Sequence, residues 1–364
     1  MTDHFETAPF QNLLTKLSDS LCPEETNYWP TERLDALRDA GVMRWNLPAE
    51  FGGSALNQQQ MLEGYRQLAG ACLVTTFILT QRNGACQRIA TSGNEAARGR
   101  LLPALAKGEL FATVGISHLT TSGQHLRTPA VEAISDGDGF RMSGIVPWAT
   151  GATHADILMT GGQLADGRQL LAALPSNRDG IHVSPPVNLM ALGSTQTGSV
   201  RLDNVAVEAK DVLHGPVDAV MTQGAGGGAG SLGTSMLAAG AAQGMLRHLN
   251  IEAERRSELL EFYEPLSEAA DGLVAEIRLA ADGRHPAGNG ASQSIRQTAN
   301  SLVLRTAQSW LAATKGAGYV VGHRAERAVR ESMFFLVWSC PQPVLSANLR
   351  ELACGTAGLT SWSC

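Results

Sequence analysis

The stretch FATVGISHLTTSGQH at residues 111–125, followed by GIVPWAT at residues 144–150, decides how the rest of the chain is interpreted. Before it, apolar residues recur at helical spacing, and after it they alternate as in strands. It joins a polar loop of serine, threonine and glycine to a tryptophan and a threonine at the end of a strand. Such groups suit a flat heteroaromatic ligand, because hydroxyl and N–H groups meet its polar edge while an indole covers its face.

The composition indicates a globular protein with two or three lobes. The chain has 364 residues, of which 44% are hydrophobic and 17% charged. A formal net charge of −6 and the lack of a Lys/Arg-rich run argue against nucleic acid as the main partner. Its six cysteines show no Cys-x-x-Cys and no metal-like spacing, so we expect reduced thiols and no metal. No secretory signal and no apolar run of membrane-span length is visible, which makes the cytoplasm the expected location.

Residues 1–110 predict an N-terminal helical domain. The segment TERLDALRDAGV predicts a helix capped by Thr31 and ended by Gly41. Two apolar-rich helices are expected next, QQQMLEGYRQLAGACLVTTFILTQ and NGACQRIATSG, and then NEAARGRLLPALAKGE. Residues 69–79 are apolar nearly all round, which predicts burial on several sides.

Residues 111–213 predict a small β domain, a barrel or sandwich. AVEAIS and FRMSGIVPW flank the turn signal DGDG, which predicts a hairpin, and ADGR predicts a second one. TGSVRLDNVAV alternates imperfectly, with Val200, Leu202 and Val205 as its apolar positions.

Residues 214–364 predict a C-terminal bundle of four long amphipathic helices. The glycine run GAGGGAG at 224–230 lacks the preceding strand and the βαβ unit of a dinucleotide site, so it is interpreted as a flexible helix entry. No phosphate-binding, zinc-hydrolase or nucleophile-elbow motif is present. The fold class expected is α+β, mainly α.

With these three domains in this order, the chain resembles the acyl-CoA dehydrogenase family of flavoproteins. The resemblance runs in register over nearly the whole chain, through NLPAEFGGSAL, LLPALAKGELFATVGIS, WATG, LGSTQTGSVRLDNVAV and KGAGY. It implies a homodimer or homotetramer that binds FAD and acts on an acyl thioester or related small molecule. It also implies an electron-accepting flavoprotein or O₂ as the oxidant.

The resemblance implies ring contacts for four residues of the opening stretch. Ile116 and Ser117 would place a backbone N–H and a hydroxyl at the pyrimidine edge of the flavin, where negative charge develops on reduction. Trp148 would lie against the ring system, and Thr150 would hydrogen-bond near N5.

Further cofactor contacts are implied on the phosphate and adenine side, at Ser122, Gly123, Phe262, Lys315, Gly316 and Gly318. The first two would approach the pyrophosphate. Phe262 keeps the phenylalanine of the family's Arg-x-x-Phe motif, and Leu259 stands in place of the arginine. The last three would contact the FAD of a neighbouring subunit.

The family's catalytic base is absent at both of its usual positions. The reaction removes an α-proton from the thioester, for which most members use a glutamate followed by Gly-Thr after the last long helix. In MFFLVWSCPQPV, Ser339 takes the glutamate position and Cys340 and Pro341 follow. The alternative position, near Gly233 and Thr234, has no acid either.

Three nearby residues are candidates to supply a base or nucleophile, with a non-catalytic interpretation open for each. His118 titrates in a suitable range or is a hydrogen-bond partner. Cys340 is a nucleophile or an inert thiol. Glu331 is expected to be a solvated surface charge.

Three functions therefore stay open. The chain is an FAD-dependent acyl-CoA dehydrogenase-like oxidoreductase with a non-standard or missing base, or a flavin monooxygenase of the same fold, which needs no such base. The third is a flavoprotein fold that has lost catalysis and serves as a binding or assembly partner.

Overall fold

A computed structural model describes residues 4–24, 27–120, 128–224 and 231–354. The chain divides into two compact units, each built from several segments. Unit 1 comprises Met1–Leu13, Cys22–Asn57 and Val74–Gly228, and unit 2 comprises Leu14–Leu21, Gln58–Leu73 and Ala229–Cys364. The expected fold class, α+β and mainly α, is confirmed, whereas the two boundaries between the three domains, at 110 and 213, stay a prediction.

The α-helices of the described residues are α1 (Ala8–Asp19), α2 (Thr31–Asp39), α3 (Gln58–Ala71), α4 (Leu73–Ala90), α5 (Glu95–Lys107), α6 (Ser117–Thr120), α7 (Leu232–Arg255), α8 (Leu260–Ala281), α9 (Ala291–Gly318), α10 (Arg324–Met333) and α11 (Gln342–Cys354). Within the described ranges, no helix has both the length and the apolar character needed to cross a membrane.

Two helix boundaries differ from the sequence prediction. Thr31 is the first residue of α2 and makes no capping bond, because Pro30 already occupies the N-cap position. The break between the two apolar helices lies at Cys72, not before Gly84. Helix α4 continues through Gly84 because Leu73 to Leu79 are all buried, and this burial outweighs the roughly 1 kcal/mol that a helical glycine costs. The predicted stop at Gly41 is confirmed by its left-handed φ of 75°.

The β-strands are β1 (Ala112–Gly115), β2 (Val131–Asp136), β3 (Gly139–Ala149), β4 (Ile157–Gln163), β5 (Gln169–Pro175), β6 (Ile181–Val183), β7 (Gly198–Val207) and β8 (Val212–Val217). They form one sheet in the order β6-β7-β3-β2-β4-β5-β8, and β1 pairs parallel to β4. Both predicted hairpins, β2–β3 and β4–β5, are confirmed as antiparallel pairs.

A bulge explains why the alternation in β7 is imperfect. Met142 of β3 pairs with Val205, and Gly144 pairs with Leu202. Between these two pairs, β7 therefore has one residue more than β3. Asn204 lies there with a left-handed φ of 52°. The extra residue shifts the phase of the apolar positions, which is the effect of a β-bulge.

The sheet of unit 1 separates two apolar cores. Ile157 and Met159 of β4 pack with residues of α4 and α5, whereas Leu158 between them packs with apolar residues of β3 and β7. Neighbouring residues of a strand point to opposite faces, so β4 contributes to both cores. The helix-covered core holds β1 and the following loop in place through Ala112 and Ile116.

Unit 2 is a helical bundle in which α7 packs against α3, α8 and α9. The small residues of α7 allow a close approach to α3. A Cβ at Gly240 would lie 2.2 Å from the carbonyl oxygen of Arg66, and one at Gly244 would lie 2.5 Å from that of Gly70.

Candidate functional site

The loop that follows β1 begins with two buried polar atoms that have no hydrogen-bond partner among the described residues. Gly115 ends β1 and Ser117 starts the short helix α6. The Oγ of Ser117 and the Nδ1 of His118 are both buried, and neither has a hydrogen-bond partner in the part of the chain that the structure describes. Buried polar atoms normally are hydrogen-bonded, so this pair indicates a place where a ligand completes the bonding.

Hydrogen bonds from two threonines fix this loop start against its neighbours. Thr113 Oγ1 donates to the carbonyl oxygen of Thr150 at 2.6 Å, and Thr160 Oγ1 donates to that of Gly115, also at 2.6 Å. A Cβ at Gly115 would come within 2.6 Å of Val146 Cγ1, so only glycine permits this approach of β1 to β3. The Thr113 bond therefore ties β1, which precedes the loop, to the end of β3.

His118 is held as a neutral imidazole of one tautomer. Its Nε2 lies 2.9 Å from the carbonyl oxygen of Gly161. A carbonyl only accepts, so Nε2 carries the hydrogen and Nδ1 carries the lone pair. Burial lowers the pKa of His118, and the bond to Gly161 opposes this only in part. At neutral pH the residue therefore presents a buried acceptor.

The end of β3 supplies an exposed aromatic face and a buried hydroxyl. Trp148 is 48% exposed and directly precedes the buried Ala149 on β3. Thr150 is buried, and its Oγ1 lies 3.0 Å from Thr197 Oγ1, so the hydroxyl keeps capacity for one further bond. Ile116 is half-buried and packs on the helix-covered core.

These observations fit the polar edge and the face of a flavin. Unpartnered Ser117 Oγ and His118 Nδ1 offer hydrogen bonds to a polar ring edge, and Trp148 offers an open aromatic surface. Ser122 and Gly123, expected at the pyrophosphate, lie outside the described residues. Within the described ranges, no group of three His, Cys, Asp or Glu side chains is placed to hold a metal ion.

The remaining cofactor candidates belong to unit 2. Phe262 lies on α8 and is 55% exposed. Lys315 interrupts α9 with a φ of 54° and a ψ of −146°, and both it and Gly316 are exposed. Gly318 is buried, and a Cβ there would lie 1.8 Å from Thr314 Oγ1, so this position excludes any side chain. Lys315 therefore kinks the end of α9, which runs on to Gly318.

The turn after α10, where the resemblance places the base, is built around a buried arginine. Arg296 of α9 donates through Nη2 to the carbonyl oxygens of Phe335 at 3.0 Å and Trp338 at 2.9 Å. Its Nε donates to Asn300 Oδ1 at 2.8 Å. Ser339 follows with a left-handed φ of 47°. Sequence reasoning missed this arginine, although it falls in phase with the buried apolar residues of α9, which is a detectable signal.

Neither Cys340 nor Glu331 has the environment of a base. Burial raises the pKa of the Cys340 thiol, and the nearby charge of Arg296 only partly opposes this. Asn348 Nδ2 lies 3.9 Å from its sulfur. The prediction that Glu331 is a solvated surface charge is wrong: its side chain is 14% exposed and accepts from Arg327 Nε at 2.7 Å. Helix α10 turns this carboxylate toward an i−4 partner, which its sequence position alone did not reveal.

Comparison with known proteins gives three findings. Residues 18–109 match the family model described as acyl-CoA dehydrogenase, N-terminal domain. The probable acyl-CoA dehydrogenase YngJ of Bacillus subtilis is 23% identical over 333 residues, which cover 85% of this chain and 86% of that protein. Dibenzothiophene monooxygenase of Mycolicibacterium goodii is 25% identical over 208 residues, which cover 56% of this chain and 49% of that protein.

A solved structure shares the fold over nearly all of the chain. Butyryl-CoA dehydrogenase from Megasphaera elsdenii superposes with a TM-score of 0.78 at 17% identity, covering 95% of this chain and 98% of that one. This similarity is one of fold, since the identity is low.

Proposed function

We propose that this chain is an FAD-dependent oxidoreductase of the acyl-CoA dehydrogenase family that acts on an acyl thioester or a related small molecule. The observation that carries the proposal is the pair of buried, unpartnered atoms Ser117 Oγ and His118 Nδ1 beside the exposed Trp148. The relatives are dehydrogenases and monooxygenases, which agrees with a redox role.

The chain's own residues bind and orient the cofactor. Ser117 offers its hydroxyl and Ile116 its backbone N–H to the polar edge, and His118 offers Nδ1 to a ring N–H. Trp148 covers part of the ring and excludes water from it. FAD supplies the electron acceptor that none of the protein side chains provides.

The residues around the expected base position decide the reaction. Residues 333–344 contain no acid, and Ser339 and Cys340 offer only a hydroxyl and a thiol whose pKa burial raises. We propose that α-proton removal uses a base other than these residues or does not occur. The second candidate is a flavin monooxygenase, which the missing carboxylate and the similarity to dibenzothiophene monooxygenase favour.

Subunit contacts belong to the proposal as well. Tyr319, Val320 and Val321 follow the distorted end of α9 and are 79%, 62% and 88% exposed. A run of apolar side chains this exposed favours burial against a second copy. We propose a homodimer or homotetramer, tested by light scattering on the purified protein.

The flavin spectrum separates the candidates. Purified protein reconstituted with FAD is mixed anaerobically with a panel of acyl-CoA thioesters, and bleaching of the flavin supports the dehydrogenase. Turnover that requires a flavin reductase and O₂ supports the monooxygenase. Protein that takes up no FAD contradicts both and leaves the non-catalytic binding protein.

A further inference from the structure

Three buried threonine hydroxyls form a chain that leads to the end of β3. Thr195 Oγ1 lies 2.8 Å from Thr197 Oγ1, which lies 3.0 Å from Thr150 Oγ1. All three residues are buried, and Thr195 is fully enclosed, with 0% exposure. Each hydroxyl has a single hydrogen, so the direction of donation along the chain decides what Thr150 can offer to a ligand.

The turn before β7 holds two of these hydroxyls in place. Gln196, which lies between them in the sequence, has a left-handed φ of 45°. Its side-chain Oε1 accepts from Thr153 Oγ1 at 2.9 Å. The backbone N–H of Gly151 donates to the carbonyl oxygen of Thr195, also at 2.9 Å. These bonds join the turn to the segment that follows Thr150, so the geometry of the hydroxyl chain is fixed from both sides.

The enclosed end of the hydroxyl chain fixes its direction. Among the residues that the structure describes, Thr197 is the sole hydrogen-bond partner of the Thr195 hydroxyl. If Thr195 did not donate to Thr197, its hydrogen would be buried without an acceptor, which is unfavourable. Thr195 therefore donates to Thr197, and the hydrogen of Thr197 goes to Thr150. The hydrogen of Thr150 is left for an acceptor outside the hydroxyl chain.

A hydroxyl that is committed to donation distinguishes the two redox states of a flavin. The ring nitrogen N5 accepts a hydrogen bond in oxidised flavin and carries a hydrogen in fully reduced flavin, and hydrogen bonds to ring nitrogens tune the cofactor. The Thr150 hydroxyl suits the first state. It suits the second only if the whole chain reverses, which leaves the hydrogen of Thr195 without an acceptor in the described part of the protein.

We propose that Thr197 is a positioning residue that commits the Thr150 hydroxyl to donation and thereby lowers the reduction potential of the bound flavin. The inference rests on the proposed function and on the place near N5 that the resemblance implies for Thr150. It goes beyond both, because it gives a residue 47 positions away in the sequence control over which redox state the site favours.

The midpoint potential of the bound FAD tests this role. Protein reconstituted with FAD is reduced slowly without oxygen beside a reference dye, and the spectra give the potential. Thr197→Val keeps the shape of the side chain and removes its hydroxyl, which frees Thr150 to accept as well as to donate. The preference for oxidised over reduced FAD falls about fivefold, as expected for one hydrogen bond, and the potential rises by about 20 mV at about 30 mV per tenfold.

Two further variants separate the hydrogen bond from packing. Thr197→Ser keeps the hydroxyl and stays close to the wild-type potential. Thr195→Val removes a hydroxyl that is at least as enclosed but keeps the bond from Thr197 to Thr150, so its potential rises less than that of Thr197→Val. An equal rise in Thr195→Val, or a rise in Thr197→Ser as large as in Thr197→Val, overturns the inference. If Thr197→Val does not fold or bind FAD, Thr197→Ala decides by the same criterion.

Uptake of FAD by the wild type separates this inference from the proposed function. Wild type that binds no FAD overturns both. Wild type that binds FAD with a potential that Thr197→Val does not raise overturns the inference alone.

Discussion

His118 donates its Nε2 hydrogen to the carbonyl oxygen of Gly161 at 2.9 Å, and this bond leaves Nδ1 as a buried acceptor at the start of the loop that follows β1. Substitution of His118 by glutamine or by asparagine separates the roles of its two ring nitrogens. His118→Gln can keep a donor near Nε2, whereas His118→Asn keeps a polar group near Nδ1. We expect the Gln variant to bind FAD about fivefold more weakly and the Asn variant to bind nearly as wild type, since one hydrogen bond contributes roughly 1 kcal/mol.

Fluorescence titration with FAD measures both affinities. Circular dichroism shows whether each variant is folded, so that lost binding is not confused with lost structure. Equal affinities in the two variants would contradict the role of Nδ1.

Trp148 allows a test of ring contact with little effect on folding. Because it is 48% exposed, Trp148→Ala should change the free energy of unfolding by less than about 1 kcal/mol. A lost aromatic contact of about 0.5–1.5 kcal/mol should weaken FAD binding by roughly two- to tenfold and increase the fluorescence of the bound flavin. Trp148→Phe, which keeps a ring, should lie between wild type and Ala. An unchanged affinity in Trp148→Ala would place the flavin elsewhere.

Local signals in the sequence predicted much of the fold. Gly137 and Asp138 form the two-residue turn of the first hairpin, and Gly41 follows α2, as glycine does where the backbone is left-handed. The predicted helix break before Gly84 was wrong, because tertiary burial of the helix outweighs the loss of helix stability that one glycine causes. The prediction that Thr31 caps α2 was wrong, because the preceding proline occupies the N-cap position.

The sequence named the candidate site residues but not their electrostatics, and their role in binding a cofactor stays a prediction. Ser117 directly follows Ile116 after β1, and Trp148 lies near the end of β3. The tautomer of His118, by contrast, depends on Gly161, a partner 43 residues away that no local pattern identifies. Burial of Arg296 is equally non-local, because helical phase shows which face a residue occupies but not what covers that face.

Arg296 is expected to control the ionisation of Cys340. Burial raises the pKa of this thiol above its usual value near 9, and the charge of Arg296 opposes the rise. Arg296→Met should therefore move the midpoint of the pH–rate profile for Cys340 alkylation to still higher pH, whereas Arg296→Lys should move it less. Mass spectrometry of the alkylated peptide gives the rates. If the substitution only loosened the turn, the plateau rate of Cys340 alkylation would rise and the midpoint pH would not. A midpoint that moves to lower pH in Arg296→Met would therefore contradict the electrostatic account.

Ser339 tests whether only the base is missing. Ser339→Glu places a carboxylate at the position that the resemblance assigns to the base. The left-handed backbone at this residue is equally strained in the wild type, so the substitution adds no new backbone strain. We expect acyl-CoA-dependent bleaching of the flavin to rise at least tenfold under anaerobic conditions. Ser339→Gln has nearly the same shape without the charge and should show no rise. A folded, FAD-bound Glu variant without any gain would reject the alignment at this turn.

Glu63 of α3 is expected to make unit 2 sensitive to acid. It accepts hydrogen bonds from Arg66 Nε at 2.9 Å, Gln67 at 2.7 Å and Arg278 of α8 at 2.8 Å. Burial by itself raises the pKa of Glu63, but these donors outweigh it and the pKa lies below its usual value near 4.5. The folded carboxylate thus holds its proton less tightly than the unfolded one. Its stabilisation is present above pH 4.5 and is lost as the pH falls through the folded pKa.

Glu63→Gln isolates this contribution. The variant should lose roughly 1–3 kcal/mol of unfolding free energy at pH 7, because the arginines lose their charged acceptor. The difference from wild type should shrink as the pH falls below 4.5, where the wild-type carboxylate is protonated as well. Urea unfolding at a series of pH values measures it, and Glu268→Gln, an exposed position on α8, is the matched control. A difference that stays constant from pH 7 to pH 3 would mean that Glu63 contributes through packing, not through its charge.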